Sequence, residues 1–179
     1  SGDLGGNADA LSEILRTAVT QNYNVGISGG SENGKYRISL GYLGQQGIVD
    51  KTDMKRFTVN ANGQYKFLRN RRLSLDFNVF AGQAKENIAP ITNNAGFQGN
   101  LIGMALQWNP TQNLYNSNGS LNIIPGSTIV NPLAMQRGYT DISNISSIMG
   151  IAGVGYKIAD GLDYRFNVSL NRQTGIRQS

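Results

Sequence analysis

Residues 23–83, YNVGISGGSENGKYRISLGYLGQQGIVDKTDMKRFTVNANGQYKFLRNRRLSLDFNVFAGQ, alternate apolar and polar positions through four successive runs. Tyr23, Val25 and Ile27 alternate with Asn24, Gly26 and Ser28. Tyr36, Ile38, Leu40 and Tyr42 alternate with Arg37, Ser39 and Gly41. Phe57, Val59, Ala61, Tyr65 and Phe67 alternate with Thr58, Asn60, Asn62, Gln64 and Lys66, and Leu73, Leu75, Phe77 and Val79 with Ser74, Asp76 and Asn78. Successive side chains of a strand point to opposite faces, so each run is a strand with one apolar and one polar face. The connections are unequal. Ser31-Glu32-Asn33-Gly34 and Leu68–Arg72 are tight, and Asn33-Gly34 predicts a hairpin turn because both residues tolerate positive φ. Gln45–Asp53 is longer, and the connection after Gln83 runs for dozens of residues.

Alternating short and long connections are the wiring of an antiparallel transmembrane barrel, with tight turns on one side and extended loops on the other. Composition agrees. Hydrophobic residues make up 39% of the 179 residues and charged ones 15%, while 23 Gly and many Asn, Ser and Gln fill the difference. Low charge with low hydrophobicity does not suit a compact soluble enzyme; it suits strands that are apolar outside and neutral-polar inside. No apolar run approaches the roughly 20 residues of a membrane-spanning helix. Alternation hides barrel strands from hydropathy averages, so that absence does not exclude a membrane protein.

The residues available for chemistry are few. With no Cys there is neither a disulfide nor a thiolate metal site, and with no His the commonest general base and transition-metal ligand are missing. The closest carboxylate pairs, Asp50 with Asp53 and Asp160 with Asp163, fall in turns, where Asp is favoured for local hydrogen bonding. Asp50–Asp53 lacks the ligands and Gly of a calcium loop, and Gly29-Gly30 lacks the Lys and helix of a phosphate loop. The net charge is +5, but the cations are scattered apart from Arg69, Arg71 and Arg72, which read as a solvated turn rather than a nucleic-acid patch. The expectations are no catalytic residues, no cofactor, no metal and no nucleic acid.

In chain order, residues 1–22 form a lead-in, loose over its first eight residues, with a short helix capped by Asp9 and reaching Thr17. Residues 23–83 are the four strands. Within the long loop, 84–147, Phe97, Leu101, Met104, Ala105 and Trp108 recur at helical spacing, a stripe whose default reading is packing, and Asn109-Pro110 ends it. Alternation returns over 148–171 as two more strands joined by Asp160-Gly161. Met149 and Ile151 blur the first, and Leu162, Tyr164, Phe166, Val168 and Leu170 make the second clean. Residues 172–179 are expected to begin the next outer loop. Tyr36, Tyr65, Phe67, Tyr156 and Tyr164 lie beside tight turns, and Tyr42 and Phe57 flank an outer loop, as the two aromatic girdles of a membrane barrel do.

Six elements carry a family resemblance, in order: Arg16-Thr17-Ala18, Gln21-Asn22-Tyr23-Asn24, Ser28-Gly29-Gly30, Ser39-Leu40-Gly41-Tyr42, Gln46-Gly47-Ile48 and Lys55-Arg56-Phe57. Across about fifty residues they resemble the early barrel of SusC/RagA-type TonB-dependent outer-membrane transporters. The resemblance implies an outer-membrane location and import of an oligosaccharide or peptide. It implies a SusD-like surface lipoprotein over the outer loops, and energy from the TonB complex acting through parts absent from this chain. Six strands cannot close such a barrel, which has roughly 22, so the chain is expected to be one section of a larger protein.

The expected fold is thus all-β: an antiparallel transmembrane barrel section with one long, partly helical outer loop. Arg37, Asn60, Asn62, Gln64, Asp76, Asn78, Arg165 and Asn167 are the expected lumen-facing residues, with outer-membrane lipid on the other face. Trp108, Asn113, Tyr115, Asn118 and Tyr139 are the candidate loop contacts. The competing expectation is a soluble β-sandwich or barrel for glycan binding or adhesion, with the same alternation packed inward.

Overall fold

The computed structural model describes residues 2–67, 71–91 and 100–179. A short helix, α1 (Ala10–Ile14), precedes six strands: β1 (Thr20–Gly30), β2 (Gly34–Gln46), β3 (Asp53–Phe67), β4 (Leu73–Asn87), β5 (Ile142–Ala159) and β6 (Leu162–Gln178). Helices α2 (Leu101–Gln107) and α3 (Pro132–Gly138) lie in the loop between β4 and β5. The strands form one sheet in chain order, each antiparallel to the next, and β1 does not pair with β6.

The strands are longer than their alternation. β3 starts at Asp53, β4 runs to Asn87 and β5 starts at Ile142, so the long loop is 88–141 rather than 84–147. Residues 172–178, expected to open a loop, continue β6 and pair with β5 as far as Ile142↔Gln178. The ladder persists where the outward side chains are no longer regularly apolar, and period-2 hydrophobicity is blind there.

The turns hold one further correction. The β1–β2 hairpin closes at Ser31, whose N–H donates to Gly34 O at 2.7 Å, but neither Asn33 nor Gly34 has positive φ. Gly34 is needed for another reason: it faces Tyr65 on β3, and a Cβ there would come within 2.3 Å of the tyrosine ring. In the β5–β6 turn Gly161 does take φ +82, and a register shift lies between Lys157 and Ala159. The turn at 68–72 lies largely outside the described residues; Arg71 has φ 55.

Paired residues of neighbouring strands point to the same face, so the register sorts every side chain. One face carries Tyr23, Val25, Ile27, Tyr36, Leu40, Tyr42, Phe57, Val59, Leu75, Val79, Val154, Tyr164, Phe166 and Leu170. Apart from the half-buried Val59, these large apolar side chains are exposed, Val25 by 64% and Leu170 by 62%. Among the described residues no second sheet covers them.

This apolar band is slanted across the sheet. Its edge on the long-loop side is Phe57 in β3 and Leu170 in β6, and the row of Leu170 runs through Gly150 and Val79 to Ala61. The edge thus moves four positions over three strand steps. At about 3.3 Å per residue and about 4.8 Å per strand, the slant is about 40°. Strands of membrane barrels tilt by about 35–45° from the axis, so a level membrane edge must cross them at this slant. Phe57 to Phe67 covers about 33 Å along β3. Tilted, that is about 25 Å of height, the height of a barrel's apolar band.

A water-type core lies elsewhere, at the long-loop end. Ala10, Ile14, Val49, Ala89, Leu101, Met104, Ala105, Trp108, Leu114, Leu133 and Met135 pack into one buried cluster. α1 is capped by Asp9, which accepts from Ser12 N, but it stops at Ile14 rather than reaching Thr17. Part of the lead-in expected to be loose is tied down, because Gly6 N and Ala8 N donate to Thr111 O and Pro110 O at 2.6 and 2.7 Å.

Candidate functional site

The polar face of the sheet and the cap above it are the two places where chemistry is available. The register brings all eight predicted wall residues onto one face. Arg37, Asn62 and Asn78 share one row, and Gln64, Asp76 and Asn167 share another, with Gly153 standing between the last two on β5. Asn60 follows Asn62 along β3, and its side-chain oxygen accepts from Asn62 Nδ2 at 3.2 Å.

Arg165 of β6 reaches over β5 to Asp76 of β4. Its Nη2 donates to both carboxylate oxygens at 2.9 and 3.0 Å, and its Nε donates to Asn167 Oδ1 at 3.2 Å. The bridge exists because Gly153 and Gly155 leave β5 bare beneath it. A Cβ on Gly153 would lie 2.7 Å from Asn167 Oδ1 and 2.8 Å from Asp76 Oδ2. The sequence carried a weak signal of this, two glycines two apart on the polar side of a strand, but not the partners that need the space. Below this bridge Ser28, Arg37, Asn62, Gln64 and Asp76 border an open groove of about 780 Å³. It offers amide, hydroxyl and guanidinium groups to a polar guest. Higher up the same face, Phe80 pairs with Met149, and Asn78 with Ile151. The two residues that blurred the alternation therefore form an apolar island within a polar wall.

The cap draws on segments far apart in sequence. Arg16 donates to Gly47 O, Asp50 Oδ1 and Thr52 O at 3.1, 3.1 and 2.8 Å, tying the lead-in to the β2–β3 loop. Asn131 caps α3 by accepting from Leu133 N and Ala134 N, and its amide donates to Leu114 O and Asn122 O. The buried Asp141 anchors the loop to the last strand. Arg177 Nε donates to its Oδ1 at 2.8 Å, Arg177 Nη2 donates to Oδ2, and Tyr139 donates to Oδ2 at 3.2 Å. Hydrogen bonding to Arg177 holds the Asp141 carboxyl below the usual carboxylate range, against the burial that would raise it.

The candidate loop contacts separate into two kinds. Trp108 is 5% exposed in the same cluster as Leu101 and Met104, and its Nε1 donates to Gln112 O at 2.8 Å, so it braces the loop and is no surface contact. The predicted stripe is real from Leu101 onward; Phe97 lies outside the described residues. Tyr139 is half-buried and engaged with Asp141. Asn113, Tyr115 and Asn118 are exposed. Tyr115 carries the Arg137 guanidinium 5.8 Å from its ring centroid. Leu114, between them, is buried, so the run from Asn113 is anchored at its second residue.

Among the described residues no cluster of His, Cys, Asp and Glu could hold a metal ion. No helix is long and apolar enough to cross a membrane, which says nothing of strands.

No protein-family model matches the chain. It is 30% identical over 162 residues to TonB-dependent receptor P3 of Formosa agariphila, covering 89% of this chain and 16% of the relative. It is 29% identical over 191 residues to TonB-dependent receptor SusC of Bacteroides thetaiotaomicron, covering 94% of this chain and 18% of that protein. In fold it is similar to a chain of the RagAB peptide importer in its closed-closed state. The TM-score is 0.74 with 19% identity, over 97% of this chain and 20% of that one. The chain thus spans less than a fifth of the length of either curated relative.

Proposed function

This chain belongs to the SusC/RagA-type TonB-dependent receptors of the outer membrane, and from that premise we propose that it forms one section of the wall of an importer. The slanted apolar band carries this reading. A sheet with one exposed apolar face about 25 Å high, crossed at barrel tilt, is built to stand in hydrocarbon. A soluble sandwich would bring a second layer to that face, and among the described residues none does. The opposite face is then the lumen wall, where Arg37, Asn60, Asn62, Gln64, Asp76, Asn78, Arg165 and Asn167 meet a plug or a passing substrate.

The substrate is an oligosaccharide or peptide, with hydroxyls or amides that match the wall's amides and guanidinium groups. The structural neighbour, similar in fold, is named as a peptide importer. A SusD-like lipoprotein covers the cap, where Asn113, Tyr115 and Asn118 are the contacts open to it. Energy comes from the TonB complex through other parts of the receptor. The relatives are named as receptors rather than enzymes.

The test is uptake by cells carrying the full-length receptor. Labelled oligosaccharide or peptide is expected to enter only when the receptor, its lipoprotein and TonB are all present. Uptake that survives deletion of the receptor, or a receptor that purifies without detergent, refutes the reading.

A further inference from the structure

The outward face just beyond the apolar band holds cations where a neutral edge would suffice. Lys55 is the first outward residue after Phe57 in β3, Arg172 the first after Leu170 in β6, and Lys85 the second after Ala81 in β4. Lys55 and Lys85 are register partners. Directly opposed residues have Cβ atoms about 5 Å apart, and like charges in that position repel. All three cations are exposed, and none makes an ion pair or hydrogen bond among the described residues. Asp53, one outward step past Lys55, is the single carboxylate on this stretch of the face and pairs with Asn87 and Gln46. The charge there is net positive. At the tight-turn end, by contrast, cations meet carboxylates: Arg71 with Glu32 at 3.1 Å and Lys157 with Asp160 at 2.8 Å.

Height identifies the occupant. One outward step is two residues, about 7 Å along the strand and about 5 Å of height at this tilt. That places Lys55 and Arg172 at the depth of lipid headgroups, which add about 5–8 Å to the hydrocarbon on each side, and Lys85, two steps out, at about 10 Å, just past them. Flexible Lys and Arg stems reach further still toward the polar boundary.

We propose that Lys55, Lys85 and Arg172 form a binding site for a phosphate-bearing lipid headgroup of the outer leaflet. The opposed lysines share one phosphate, whose charge relieves their repulsion. Arg172 lies two strands from Lys85 and four residues along β6 from the row of Lys85, so about 16 Å away, and takes a second anionic group. This site rests on the reading of the apolar face as lipid-facing, and it further assigns the long-loop edge to the leaflet richer in phosphate.

The experiment uses the full-length receptor in nanodiscs of phosphatidylcholine with a minor fraction of diphosphoryl lipid A. Lipid A retained on the receptor is measured by mass spectrometry after detergent exchange. Wild type is expected to retain lipid A and to retain dephosphorylated lipid A several-fold less. Lys55→Gln/Lys85→Gln should lose most of the retained lipid A, and Lys55→Arg/Lys85→Arg should restore it. Equal retention by wild type and the Gln double variant, or equal retention of the dephosphorylated lipid, overturns the site. So does complete displacement by millimolar inorganic phosphate, which marks a free-anion site. Loss of the lid lipoprotein with lipid retention unchanged also overturns it, assigning the lysines to a protein contact. A receptor that never enters the disc instead refutes the barrel-wall reading beneath it.

Discussion

The sheet and the cap of this chain are folded for two different solvents. In the sheet, large apolar side chains such as Val25, Phe166 and Leu170 stand exposed, and the strands are held to one another by continuous ladders. In the cap, a few short segments bury Ile14, Leu101, Trp108, Leu114, Leu133 and Met135 against one another. Every residue of the buried apolar cluster lies outside the six strands. The cap is stabilised as a water-soluble protein is, by apolar area removed from water. The sheet needs hydrocarbon on one face. A substitution therefore has opposite meanings in the two regions: a cavity matters in the cap, and a charge matters on the band.

The largest effect is expected from Trp108→Ala, at about 3–5 kcal/mol for an aromatic deleted from a core. The loss should be confined to the cap. Limited proteolysis of the full-length receptor should show new cleavage within 88–141, while the barrel still resists unfolding in detergent. Global loss of the barrel would mean that the two regions fold as one.

Next come single arginines on the band. Arg at Leu40, Val59, Leu75 or Phe166 should cost about 2–4 kcal/mol near the midplane in a lipid-refolding titration. Arg at Asn60, Asn62 or Asn167, on the other face, should cost far less. Equal costs on both faces would erase the distinction between wall and band.

Asp141→Asn should cost about 1–2 kcal/mol, the lower part of the range for a charged hydrogen bond, because the Arg177 side chain is 63% exposed and solvent screens it. Its pH dependence has a definite sign. The folded carboxyl titrates below its ordinary 3.8, so this contribution is whole above that value and is lost as pH falls through the folded value. Hydrogen-exchange protection at the top of β6, relative to the intrinsic rate at each pH, should therefore fall in acid for wild type and show no such step in the variant.

Smallest in stability is Tyr115→Ala, within about 1 kcal/mol for an exposed side chain. Its effect should appear instead as weaker lid binding or slower uptake. Unchanged uptake and lid affinity would leave Asn113 and Asn118 as the contacts to test.

Topology offers a check that carries no energy. A Cys at Thr52 or Asn118 should be labelled from outside intact cells, and one at Asn33 should not. The reverse pattern would invert the sides of the sheet.

Much of this architecture was legible in the residues alone, because a strand's two faces are a local property. Tyr36 to Tyr42 and Leu162 to Leu170 declare their faces without reference to any partner, and Asp160-Gly161 declares its turn through Gly161. The polar wall set follows from the same rule. Only the tertiary structure decided how far each strand runs, since outside the apolar band apolar residues are isolated on either face and β6 from Arg172 to Gln178, with Ile176 its single apolar residue, has no period to read. It alone decided the pairings: the opposition of Lys55 and Lys85, the use of Gly34 to admit Tyr65, and the reach of Arg165 across Gly153 to Asp76. It alone assembled the cap, whose core joins Ile14, Val49, Ala89 and Met135 over long stretches of chain. Periodicity reports the face a residue presents; register and long-range burial are set by which segments meet, and that information lies in the sum of contacts rather than in any one stretch.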